Sequence, residues 1–191
     1  MTKRFVISKI SRALLVVLGL FSVINADPLL DAANQALDAG NYRKAEFLYQ
    51  QALKAGANEA IIDYNLAIVN YRMDKISEAI RYFKKVTELA PLFKDSYLNL
   101  GRIYFSLEAY VDSLKAFLDF LDRDPADEET LLLAGDVFKK LSLFREAEEY
   151  YTKALDLRAT NADPHLAMAS LYLDLGDQEK ALALLDRAVR K

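Results

Sequence analysis

Five stretches of the chain repeat at a fixed interval. "GNYRKAEFLYQQAL" begins at Gly40, and related segments begin at 74, 108, 142 and 176, each 34 residues after the last, with no insertion or deletion. A period of this length constrains architecture more than any single motif. Each copy is one supersecondary unit that cannot bury its apolar face alone, so copies must stack. Each copy holds two helical stretches, framed as repeats at about 26–59, 60–93, 94–127, 128–161 and 162–191.

The helical reading rests on spacing. In the third copy Tyr97, Leu100, Gly101 and Tyr104 fall at i, i+3, i+4 and i+7, one face of a helix. In the second stretch Ser113, Phe117 and Phe120 do the same. The equivalent triplets are Ala45/Tyr49/Ala52, Ala79/Phe83/Val86, Ala147/Tyr151/Ala154 and Ala181/Leu185/Ala188. Small residues alternate with a ring or Leu, so a large side chain of one helix can nest against its neighbour. The connection around Gly40, Asp74, Glu108, Ser142 and Gly176 is short, which predicts antiparallel neighbours. With only 6 Gly and 4 Pro, and no alternating run of β-branched residues, the chain reads as all-α.

These residues resemble the tetratricopeptide repeat family. The third copy carries its pattern most fully, with Tyr97, Leu100-Gly101, Tyr104, Tyr110, Phe117 and Pro125. The fourth supplies Leu131, Ala134-Gly135, Phe138, Phe144, Ala147, Tyr151 and Ala154. The departures are Ala57 and Ala159 where Pro is usual, and Phe120 in place of the second Ala. The resemblance implies a right-handed superhelical solenoid of five antiparallel helix pairs over 27–191. It also implies that the first helix of each pair lines a concave groove.

Residues 1–26 have another character. Lys3, Arg4, Lys9 and Arg12 precede an uncharged apolar run from Ala13 to Ile24, then Asn25-Ala26. That order is expected of a secretory signal peptide cleaved after Ala26. A retained membrane anchor is the alternative, though 12 apolar residues are short of a span. Export implies a periplasmic or secreted protein, or one held at the membrane by this segment. Removing 1–26 leaves 21 Lys+Arg against 28 Asp+Glu, a net charge near −7, which argues against nucleic acid or an anionic membrane as the main partner. With no Cys, the fold must hold by packing alone.

No catalytic constellation is visible. The single His, His165, reads as a first-turn residue behind an Asp163 cap and Pro164. The acidic stretch "DRDPADEE" at 122–129 lacks the Gly-bearing spacing of a Ca²⁺ loop, and Asp127 reads as a helix cap. The chain is expected to be a non-enzymatic scaffold that uses no cofactor or metal and binds a protein or peptide; the alternative is a structural assembly subunit of an envelope complex that works through its solenoid ends.

The resemblance also implies which first-helix positions face the groove. They form an apolar and aromatic strip of Tyr64, Ile68, Tyr71, Leu98 and Phe105, flanked by Asn65, Arg72, Asn99 and Arg102. Exposed aromatics beside Arg are typical of binding hot spots. Tyr64, Tyr71 and Phe105 are expected to be free of the core. The carboxylate clamp of chaperone-binding members is not expected, because Asn34 and Asn65 match it while Leu30, Asp95 and Asn99 stand where its cations would be. On the last helix Leu182 and Val189 share a face away from their own pair, which would suit weak self-association.

Overall fold

The computed structural model describes residues 28–157 and 162–189. All regular structure among them is helical: α1 over 28–38, α2 Tyr42–Lys54, α3 Glu59–Arg72, α4 Ile76–Leu89, α5 Asp95–Ser106, α6 Tyr110–Leu121, α7 Glu128–Lys140, α8 Phe144–Asp156, α9 Asp163–Asp174 and α10 Gln178–Val189. The chain forms two compact units, one up to Ala90 and one from Pro91. No helix among the described residues is long and apolar enough to cross a membrane. The segment read as a signal peptide lies outside the described residues.

Each first helix joins its second through a three-residue turn built the same way. The central residue is left-handed in all five: Gly40 (φ 71°), Asp74 (59°), Glu108 (57°), Ser142 (59°) and Gly176 (78°). In each, the next residue's N–H reaches the carbonyl five positions back, as in Asn41 to Ala36 (2.8 Å), Ala109 to Tyr104 (2.9 Å) and Asp177 to Tyr172 (2.8 Å). The central residue's own N–H reaches three back, as in Glu108 to Phe105 (3.0 Å). These are Schellman caps, which satisfy the last carbonyls of the first helix and turn the chain directly into the second.

The small-and-large alternation is the core. Tyr49, Phe83, Phe117 and Tyr151 are buried to 1% exposure or less, each flanked by the small or β-branched residues of its triplet except where Phe120 follows Phe117. In the first unit Tyr49, Ala45 and Ala52 pack with Ile62, Leu66 and Val69. In the second, Phe117 and Phe120 pack with Tyr97, Leu131 and Val137, and Tyr151 packs with Phe138, Met168 and Leu171. Gly101 and Gly135 let the rings approach, since a Cβ on either would lie 2.4 Å from Phe117 or Tyr151. In the fifth pair the pattern shifts: Leu184 is buried beside Ala181 and Ala188, and Leu185 is only half-buried.

Asp127 caps α7 as expected, its carboxylate accepting from Thr130 N–H at 2.8 Å. At α9 the expectation needs correcting. The N-cap is Ala162 with no side-chain bond, and Asp163 and Pro164 are already helical. Asp163 therefore acts as a first-turn anion beside the positive helix end.

Candidate binding site on the first helices

The second helices are sharply two-faced. On α4 the buried residues are Ala79, Phe83 and Val86, at i, i+4 and i+7, and on α8 they are Ala147, Tyr151 and Ala154. The first helices α3 and α9 also leave large apolar side chains in solvent. Helix α3 buries Ile62, Leu66 and Val69 yet exposes Ile61 and Tyr71. Helix α9 buries Met168 and Leu171 yet exposes Leu166 and Leu173. Large apolar side chains left exposed on a helix that already buries a core face are available to a partner.

In the first unit, Ile68 and Arg72 join Leu37, Asp38, Gly40 and Tyr42 around a recess of about 420 Å³. Tyr71, 45% exposed, lies beside it in sequence, and Asn65 is half-buried one turn earlier. Tyr64 does not stand free of the core: its ring meets Phe83 edge-on at 5.6 Å between centroids. Its position on the helix suited the groove, but the bulk of Phe83 draws the ring inward.

In the second unit the C-terminal ends of α5, α7 and α9 converge. Phe105, Asp136, Lys139, Lys140, Ser170 and Asp174 line a recess of about 480 Å³. Lys139 donates to Ser170 Oγ (2.9 Å) and pairs with Asp174 (3.3 Å), tying α7 to α9. Arg102 pairs with Glu129, tying α5 to α7. Asn99 donates its amide to the Asp95 carbonyl one turn back (2.8 Å). Leu98 and Phe105 are half-buried against the core, and Phe105 meets Tyr110 edge-on at 5.8 Å. Of the three rings expected to stand clear of the core, only Tyr71 does so.

One correspondence crosses the repeats. Tyr49 donates its hydroxyl to Asn34 Oδ1, and Tyr151 donates to Asp136 Oδ1, both at 2.7 Å. In the second and third pairs the acceptor's place is taken by Ile68 and Arg102, and the ring is Phe83 or Phe117 without a hydroxyl. In these four pairs the ring carries a hydroxyl where an Asn or Asp oxygen stands to accept it, and lacks one elsewhere. Burial, with Asp38 adding to it, pushes the Tyr49 hydroxyl up to about 12. Burial and the bond to Asp136 push Tyr151 up as well. With its oxygen accepting from Tyr49, Asn34 is part of the fold rather than a clamp residue.

No cluster of three or more His, Cys, Asp or Glu that could hold a metal occurs among the described residues. In 122–129, Asp124 pairs with Lys94, Asp127 caps α7 and Glu129 pairs with Arg102.

Stacked helix hairpins with a ring-into-small-residue core define a helical repeat protein. The tetratricopeptide repeat profiles match residues 30–72, 64–128 and 142–191, and the chain belongs to that family. It is similar over 151 residues, at 28% identity, to TPR repeat-containing protein MJ1428 of Methanocaldococcus jannaschii, covering 78% of this chain and 26% of the relative. It is 33% identical over 137 residues to the antiviral innate immune response effector IFIT1 of Macaca fascicularis, covering 68% and 26%. The chain thus spans about a quarter of the length of these relatives. Among solved structures, MamA 41-end from Desulfovibrio magneticus RS-1 superposes with TM-score 0.78 at 18% identity, covering 86% of this chain and 93% of that one. That likeness shows the fold.

Proposed function

We propose that the protein is an exported, non-enzymatic scaffold that captures a protein or peptide segment on its first helices. The observation that carries this is the pair of large apolar side chains that α3 and α9 each leave exposed in addition to their buried face. Tyr71 with Ile61 in the first unit, and Leu166 with Leu173 in the second, are anchors for apolar side chains of a partner. Arg72 and Asp38 in one recess, and Lys140 and Asp136 in the other, offer both charges to its polar groups.

The test uses Tyr71→Ala/Arg72→Ala, because both side chains are exposed and their loss leaves the core intact. Partners captured from envelope extract by the wild type should bind this variant about 30-fold more weakly, the effect of losing a hot spot worth about 2 kcal/mol. Capture unchanged by the variant refutes the groove reading. Export is tested by N-terminal sequencing of the protein from its producing cell: a start at Asp27 supports cleavage, and a start at Met1 in the membrane fraction supports an anchor.

A second reading, assembly through the last helix, is favoured by Leu182 and Val189, which are 66% and 87% exposed on one face of α10. Light-scattering mass of the wild type against Leu182→Glu/Val189→Glu decides it. A monomeric wild type removes self-association.

A further inference from the structure

The first-to-second helix turns of the second unit carry an apolar edge distinct from the first-helix face. Because the C-terminal ends of α5, α7 and α9 meet at one recess, the turns that follow them lie side by side. Leu107 and Val111 project at the first turn, Leu143 at the second, and Leu175 at the third, all exposed; Val111 reaches 72%. The aliphatic surface amounts to a few hundred Å², the size at which a patch on a monomer is commonly functional. The equivalent turns of the first unit hold Ala39, Asn41, Arg43, Met73, Lys75 and Ser77, a largely polar set. The turn geometry is the same in all five, so Schellman capping does not require these aliphatics.

The rim has a sign. Glu108, Asp112, Glu146 and Glu179 flank the aliphatics, and none forms an ion pair among the described residues. Among the described residues Lys140 and Arg145 oppose them, while Lys115 and Lys180 pair with Asp119 at 2.6 Å and Asp177 at 3.2 Å. We propose that this edge docks a cationic amphipathic helix of a partner protein, Leu- or Val-sized side chains against the aliphatics and Lys or Arg toward the carboxylates. Three turns about 10 Å apart span roughly 20 Å, which a helix of about four turns covers.

The probe is a synthetic Leu/Lys amphipathic helix of about 16 residues, with a Leu/Glu version as its counterpart. Fluorescence anisotropy is followed as each is titrated with the full chain. The Leu/Lys helix should bind at least about tenfold tighter than Leu/Glu. Val111→Glu/Leu175→Glu should lose at least about tenfold even though it adds negative charge, which separates docking from nonspecific attraction of a cation. Val111→Ser/Leu175→Ser should lose affinity likewise, with helical circular dichroism unchanged in both variants. Tyr71→Ala/Arg72→Ala should bind the probe normally, so failure of the groove reading and failure of this one are distinguishable. Equal binding of both peptides, or undiminished binding by the edge variants, overturns the proposal. So does a wild-type dimer that the edge variants dissociate, since a second copy would then be the occupant.

Discussion

The five left-handed turn residues make a stability prediction that isolates backbone conformation from packing. Glu108 sits at φ 57° where Gly40 and Gly176 sit at 71° and 78°. An L-residue in this region costs roughly 1–2 kcal/mol from the clash of Cβ with the following carbonyl. Replacing it with Gly removes that strain but frees the unfolded chain, at a cost of about 0.5–1 kcal/mol. Glu108→Gly should therefore stabilise by about 0.5–1 kcal/mol. Asp74→Gly should gain least, because a short Asp side chain bonds locally and tolerates this region. The reciprocal test is Gly176→Ala. A Cβ there meets nothing within 4 Å, so any loss arises from φ alone, and about 1 kcal/mol is expected. Repeats unfold in part independently, so the local readout is amide hydrogen exchange at Ala109, whose N–H holds the Tyr104 carbonyl. Glu108→Gly should slow it about two- to fivefold, the equivalent of the stability gained. Faster exchange in Glu108→Gly, or a neutral Gly176→Ala, would refute the reasoning.

The helical glycines should behave oppositely. Gly101→Ala gains helix propensity but drives a Cβ into Phe117, and a net loss of about 1–2 kcal/mol in urea denaturation is expected. Adding Phe117→Leu should recover part of it, because ring atoms of Phe117 are what the new Cβ meets. Stability should also fall as pH rises above 10. The folded Tyr49 hydroxyl is raised from 10.0 to about 12, so the native state holds its proton longer than the unfolded chain does. The contribution is complete below 10 and is lost as pH climbs toward 12; urea midpoints across this window should decline less steeply in Tyr49→Phe.

The sequence by itself determined the repeat, the helix pairs and the turns. A period of 34 and spacings of three and four residues are local geometry, and they specify which residues share a helix face whatever lies opposite. They therefore located Tyr49, Phe83, Phe117 and Tyr151 in the core and the turn residues at 40, 74, 108, 142 and 176. Only the tertiary structure decided what faces each side chain. Asp63 occupies a slot equivalent to Tyr97 and Leu131, yet it is 1% exposed and paired with Lys85 at 2.7 Å, an arrangement that depends on a residue 22 positions away. Tyr64 shares the groove-side register with Tyr71, but Phe83 on the next helix claims its ring and leaves Tyr71 to solvent. Arg102 was placed beside the groove strip by its position on the helix, and its pairing with Glu129, 27 residues on, came only with the structure. Periodicity sets direction from a helix axis; burial and pairing depend on the side chains that neighbouring helices bring, and those distances are absent from any single repeat.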